Sequence, residues 1–272
     1  MLGTDMMEAL KSHHEVIGAD IDTLDITNLE AVLIYMEQTK PQLIINCAGY
    51  TDVDGCETNA DLAYQVNALG PKNLALGCEK HNAALVHFST DYVFDGTKET
   101  PYLEDDQPNP LNVYGESKLK GERYIQSLMT RFYIVRTQWL FGKNGKNFID
   151  TMLSLGRKQK EITVVSDQFG CPTYAKDLSE AVGKLIETPE YGTYHLTNTG
   201  VTSWYELAGE VFRQAKISGI SVKPCSSEDY PTPAKRPAYA VLENHRLLLK
   251  ENDTLRHYKE ALSDYIQNHS KI

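Results

Sequence analysis

Short apolar runs separated by longer amphipathic stretches constrain the fold of this chain more than any single motif. Residues 15–19, 42–48, 84–89 and 132–141 are rich in aliphatic and aromatic side chains and read as strands. Residues 4–11, 27–38, 59–81 and 112–129 carry helical patterns. Thr27, with Glu30 three positions later, has the form of a helix-starting capping box. Strands this short and this continuously apolar have no solvent face, so they predict a parallel sheet covered by helices on both sides. Beyond Gly142 the alternation is looser, with strands near 162–165 and 193–196 and helices near 175–187 and 203–216. The expected fold is α/β, a doubly wound parallel sheet over residues 1–142, with a smaller substrate-binding region over residues 143–272 interleaved with it.

The 272 residues carry a net charge of −10, which argues against a nucleic-acid surface, since that requires a basic patch. No lysine-arginine run suggests an anionic membrane partner. No apolar stretch approaches the roughly 20 residues that span a bilayer. The start, Met1-Leu2-Gly3-Thr4-Asp5, lacks the charged and apolar regions of a signal peptide. Five scattered cysteines without a Cys-x-x-Cys predict neither a disulfide framework nor a metal site. A cytoplasmic location is the expectation, and Cys47, in an apolar run, reads as a small buried hydrophobe.

Tyr114-Gly115-Glu116-Ser117-Lys118 places a phenol and an ammonium one helical turn apart on one face. With 16 tyrosines and 19 lysines in the chain, roughly one such spacing arises by chance, so the motif alone decides nothing. Its context is stronger. Ser89-Thr90-Asp91-Tyr92-Val93-Phe94 sets hydroxyls where a strand gives way to a loop. Asn46 to Tyr50, Ser89 to Phe94 and Arg136 to Phe141 all fall at the carboxyl ends of predicted strands, where open α/β sheets bind ligands. A free phenol has a pKa near 10, and a neighbouring cation lowers it. Tyr114, Lys118 and Thr90 therefore suit proton transfer to a carbonyl during hydride reduction, with a cofactor carrying the hydride. Other chemistries find less support. No Gly-x-Ser-x-Gly elbow is present, and His13-His14 reads as a solvated cluster. Gly142-Lys143-Asn144-Gly145-Lys146 is too short for a phosphate loop and reads as a strand-to-helix turn.

These residues resemble the extended short-chain dehydrogenase/reductases along nearly the whole chain. The likeness runs through Leu24-Asp25-Ile26-Thr27, Asn46-Cys47-Ala48-Gly49-Tyr50-Thr51-Asp52, Val66-Asn67-Ala68, the Thr90 and Tyr114 segments, Arg136-Thr137-Gln138-Trp139, Asp167-Gln168-Phe169-Gly170-Cys171-Pro172-Thr173 and Lys235-Arg236-Pro237. The Arg-Thr-x-Trp and Asp-Gln-x-Gly-x-Pro-Thr segments point to the branch that reduces the 4-keto group of a dTDP-linked deoxysugar, supplying dTDP-L-rhamnose to cell-surface polysaccharide. The resemblance implies a Rossmann-like sheet and NADPH or NADH as cofactor. It implies Tyr114 as proton donor, Lys118 as its partner and Thr90 as the group that tunes it. Asp25 and Ile26 would border the adenine, Gly49, Tyr50 and Thr51 the ribose and phosphates, and Phe88 the nicotinamide end. Thr90, Asp91 and Trp139 would contact the deoxysugar, and Arg236 the diphosphate. A turn cap for Asp25, core packing for Phe88 and Trp139, and an exposed surface position for Arg236 are the structural alternatives. A homodimer and Mg²⁺ are compatible with the resemblance, but no residues specify them.

Members of that family begin with a strand and a Gly-x-x-Gly-x-x-Gly loop, whereas this sequence starts about ten residues later in the pattern. Gly3 is the one loop glycine it retains. Without that strand, two sheet edges are expected to lie unpaired, and weak dinucleotide binding or a longer natural chain follows. A related branch serves as the regulatory partner of methionine adenosyltransferase, so a non-catalytic subunit is the second reading, against which Thr90, Tyr114 and Lys118 count. Asp20, near the end of the 15–19 run, leans toward NADH.

Overall fold

A computed structural model of the chain describes residues 1–249 and 255–269. Its centre, among these residues, is a four-stranded parallel sheet. Strand β1 (Leu43–Asn46) pairs with β2 (Ala84–Thr90), β2 with β3 (Phe132–Thr137), and β3 with the Gly192–His195 strand. Because neighbouring side chains on a strand point to opposite faces, the apolar run of β2 feeds two cores. Val86 and Phe88 pack with Tyr133, Val135, helix α1 (Leu2–Leu10) and the Ala175–Leu185 helix. Leu85 and Ile134 pack on the other face with Val32 and Met36 of helix α2 (Leu29–Thr39) and with Leu74, Cys78 and Ile125. A third core (Phe141, Ile149, Met152, Ile162, Leu207, Phe212, Tyr265) belongs to the elements after residue 140. The described sheet thus recruits its last strand from beyond residue 142.

Several boundaries differ from the sequence expectation. Residues 15–19 form no strand. Extended backbone becomes a strand only where a neighbour completes its hydrogen bonds, and β1, at the sheet edge, pairs only with β2 among the described residues. Ile17 and Ile21 are left exposed there. Helix α2 is capped by Asn28, whose Oδ1 accepts from the Ala31 amide at 3.1 Å, rather than by Thr27 with Glu30. Thr27 is already committed: its amide and hydroxyl both donate to Asp25 Oδ1, at 2.9 and 2.7 Å. The long helix predicted over 59–81 is Ala60–Tyr64, a π-helical turn at Gln65–Leu69, then Gly70–His81. The run 132–141 breaks after Thr137 and resumes at Leu140–Phe141, because Trp139 lies in the left-handed region with φ +47°. Cys47 is only half-buried, although its surroundings push the thiol up to about 12 by burial.

Candidate active site

Strands β2 and β3 finish together, with Thr90 opposite Thr137. At that edge Thr90 Oγ1 donates to Asp91 Oδ1 at 2.9 Å and accepts from the Tyr92 amide at 3.2 Å, so it caps the short 3₁₀ turn Asp91–Val93. Asp91 is buried, and burial pushes its carboxyl up to about 7, opposed by the Thr90 hydrogen bond.

Tyr114 reaches the same edge from the helix Val113–Leu128, of which it is the second residue. Asn112 caps that helix: its Oδ1 accepts from the Gly115 amide at 2.8 Å, while its Nδ2 donates to the Lys235 carbonyl at 2.8 Å. Gly115 is what lets the helix meet the Thr90 loop. A Cβ there would stand 2.1 Å from the Tyr92 carbonyl oxygen, far inside van der Waals contact. Tyr92 in turn packs edge-on against Tyr114, ring centroids 5.5 Å apart.

Lys118, one turn further, is buried and donates from Nζ to the Phe88 carbonyl at 2.5 Å. Burial brings its ammonium down to about 8, against the raising pull of Glu122 and Cys47. The expected effect of this lysine on the phenol does not appear. Tyr114 is driven well above its ordinary value by burial, with Thr90 lowering it and Asp91 and Tyr92 raising it further. The ammonium is engaged at Phe88, and Lys118 is not among the principal groups acting on the phenol.

The next turn holds an ion pair that the sequence reading missed. Glu122 forks onto Arg136 of β3 at 3.0 and 2.7 Å, both side chains almost fully buried. Arg136 also donates to the Glu104 carbonyl at 3.3 Å and lies over the Phe94 ring. This pair bolts the helix carrying Tyr114 and Lys118 to the sheet. Its signal was present, since an arginine in an apolar strand needs a buried partner, but the partner could not be chosen from the sequence.

The remaining predicted residues scatter around this centre. Gly3 lies in α1, where a Cβ would rest 3.6 Å from Cys47 Cβ. Asp25 acts as the turn cap described above, and Ile26 packs beside the α2 core. Gly49 adjoins the lysine, since a Cβ there would be 3.9 Å from Lys118 Nζ. Tyr50 is pinned by Asn67, which accepts its amide at 2.8 Å and donates to its carbonyl at 3.0 Å and to Ser117 Oγ at 3.1 Å; Thr51 is exposed. The Phe88 side chain is core. Arg236 is not a free surface arginine. Its fork donates to both carboxylate oxygens of Asp54, at 2.6 and 2.8 Å, and holds that carboxyl below its usual range.

Trp139 is held unusually tightly. Its left-handed backbone costs a bulky residue about 1–2 kcal/mol, and its ring stacks on Trp204 with centroids 3.6 Å apart and planes 14° apart.

The edge suits a dinucleotide's nicotinamide ribose. Lys118 spends one of its three N–H groups on Phe88. The buried Ser89 and Thr137 hydroxyls have no partner among the described residues. Free donors and acceptors of this kind match ribose hydroxyls and a carboxamide, so Lys118, Gly49, Tyr50 and Ser89 would hold that end. Among the described residues no cluster of three or more His, Cys, Asp or Glu side chains could take a metal ion. No described helix is long and apolar enough to cross a membrane.

The family model "RmlD substrate binding domain" matches residues 1–271. The spore coat polysaccharide biosynthesis protein SpsK of Bacillus subtilis is 39% identical over 99% of this chain and 94% of its own length. A crystal structure of a dTDP-4-dehydrorhamnose reductase from Clostridium acetobutylicum superposes with a TM-score of 0.96 at 47% identity, covering 98% of this chain and 95% of that one. The Bacillus anthracis dTDP-4-dehydrorhamnose reductase, solved in complex with NADP, gives a TM-score of 0.95 at 41% identity over the same shares.

Proposed function

The chain belongs to the RmlD substrate binding domain family, and from that premise we propose that it is the NAD(P)H-dependent reductase that converts dTDP-4-dehydro-L-rhamnose to dTDP-L-rhamnose. The observation that carries this reading is the convergence of Thr90, Tyr114 and Lys118 on the carboxyl edge of β2, in a chain whose near-full-length relatives are such reductases. The regulatory-subunit alternative gives way accordingly. Residues 1–142 supply the cofactor side and residues 143–272 mainly the sugar-nucleotide side.

When bound, NAD(P)H supplies a hydride to the keto carbon. Tyr114 gives its proton to the sugar O4 as the carbon accepts the hydride, leaving an alcohol and a phenolate. Burial keeps the phenol protonated at neutral pH, so the proton is in place. It also makes Tyr114 a weaker acid than a free tyrosine, and the strongly basic oxygen that hydride addition generates has to draw the proton off. Thr90 hydrogen-bonds the resulting phenolate by turning its single O–H from Asp91 Oδ1 to the phenol oxygen. Lys118 holds the ribose with the N–H groups left over from the Phe88 carbonyl. Asp91 and Trp139 border the sugar. Arg236, with the loop it anchors to Asp54, borders the diphosphate.

The test is NAD(P)H oxidation on addition of the keto sugar nucleotide. Turnover is expected, and Tyr114→Phe should lower kcat by about 10²–10⁴-fold with cofactor affinity nearly unchanged. Absence of turnover with both NADPH and NADH, despite demonstrated cofactor binding, overturns the reading.

A further inference from the structure

We propose that Trp204 is a positioning residue for the sugar nucleotide, fixing the Trp139 indole by face-to-face stacking; the proposal rests on the reading of Trp139 as a sugar contact. Trp139 follows β3 by two residues, close to where Thr137 pairs with Thr90. The side chain of the preceding residue and the Trp139 carbonyl anchor this segment. Gln138 donates to the Ala240 carbonyl at 3.1 Å and accepts from the Cys171 amide at 3.1 Å, and the Trp139 carbonyl accepts from the Thr173 amide at 3.2 Å. Gly170 presses against the ring, for a Cβ there would meet Trp139 Cε2 at 2.7 Å. A left-handed backbone at so large a residue persists only where its surroundings over-determine it.

Trp204 supplies the large remaining contact. It is the first residue of the helix Trp204–Gln214, whose start is set by a full capping box: Ser203 Oγ accepts from the Glu206 amide at 3.2 Å, and Glu206 accepts from the Ser203 amide at 3.0 Å. Phe148 backs its ring, centroids 4.6 Å apart. The stack therefore joins a rigid helix of the second half to the end of β3. None of this machinery touches Tyr114 or Lys118, so its loss should register in substrate affinity rather than in the proton-transfer step.

Trp139 and Trp204 are the chain's two tryptophans, which gives the proposal a readout independent of turnover. Stacked indoles this close couple their transitions and give an exciton couplet in circular dichroism where the in-plane moments of the two rings are crossed, and dTDP-L-rhamnose should perturb that couplet in the wild-type protein. Trp204→Ala should abolish the couplet and raise KM for the keto sugar nucleotide about three- to tenfold, the worth of one aromatic pair, with kcat and NADPH affinity within about twofold. Trp204→Phe should lose the couplet yet keep most of the affinity. Trp204→Leu, which preserves apolar bulk against Phe148, takes the place of the alanine variant if that does not fold. A couplet lost with no change in KM overturns the role of Trp204. If Trp139→Ala also leaves KM unchanged, the sugar contact itself is wrong, whereas absence of turnover in the wild type fails the reductase reading instead.

Discussion

Gly115→Ala puts the proposed site under the sharpest test, because helix propensity and tertiary packing push in opposite directions. In a free helix, alanine would be favoured over glycine by about 1 kcal/mol. Here the added Cβ would stand 2.1 Å from the Tyr92 carbonyl oxygen and 3.0 Å from Pro110 Cβ. Relief requires the helix start to retreat from the Thr90 loop by about 1 Å, and overpacking of this kind costs about 1–3 kcal/mol. The net effect is a loss of up to about 2 kcal/mol, a drop in Tm of several degrees at roughly 2–4 °C per kcal/mol. Catalysis should suffer far more. The retreat carries Tyr114 away from Thr90, and a misplacement of about 1 Å costs on the order of 10²-fold in rate. Steady-state kinetics should therefore show kcat down by about two orders of magnitude. Lys118 sits a turn deeper and remains anchored to Phe88, so NADPH affinity should move little. Gly209→Ala is the matched control, since nothing lies within 4 Å of a Cβ there; it should leave kcat alone and raise stability slightly. A Gly115→Ala enzyme with wild-type kcat would refute the claim that this contact sets the Tyr114–Thr90 geometry.

The buried ion pair gives a second prediction: Glu122→Ala strands Arg136 in the core and should cost about 3–5 kcal/mol in chemical denaturation, whereas breaking an exposed pair such as Lys223–Glu161 should cost under about 1 kcal/mol. A third concerns pH. With the Lys118 ammonium brought down to about 8, cofactor binding and kcat/KM should fall as pH rises through about 8, and a flat profile to pH 10 would contradict the role of that charge. The stability contribution runs the other way: between about 8 and the unfolded value of 10.5 the unfolded chain holds more protons, so the burial penalty, full below pH 8, is relieved as pH rises. At the acid end, burial first and then the Arg136 charge bring His195 down to about 3. From about pH 6.5 toward 3 the unfolded state gains a proton that the native state refuses, removing about 1 kcal/mol of stability per pH unit. His195→Gln should flatten that acid limb in urea titrations.

Local pattern carried the sequence reading furthest where a residue's own neighbours decide its conformation. The strands β1, β2 and β3 and the helix carrying Tyr114 and Lys118 emerge from runs of apolar residues and from spacing, within a few residues of their observed limits. Ser203 and Glu206 start their helix with a signal wholly contained in four residues. Residues 15–19 show the limit of that logic, because their apolar character is right for a strand while the pairing partner is a matter of the sheet. Thr27 shows it again: two adjacent side chains, Thr27 and Asn28, compete for one cap, and the turn at Asp25 decides between them.

Chemistry divides along the same line. That a phenol, an ammonium and a hydroxyl belong together is written in Tyr114, Lys118 and Thr90, since residue types and helical spacing are properties of the chain itself. What each of them does electrostatically is not. The phenol rises because it is buried, the ammonium falls for the same reason and turns to the Phe88 carbonyl, and Arg236 meets Asp54 across 182 positions of sequence. Desolvation and Coulomb interaction depend on distance in space. The sequence could therefore name the candidate groups, while their protonation, the Glu122–Arg136 bolt and the Trp139–Trp204 stack came into being only when the sheet and its helices closed around them.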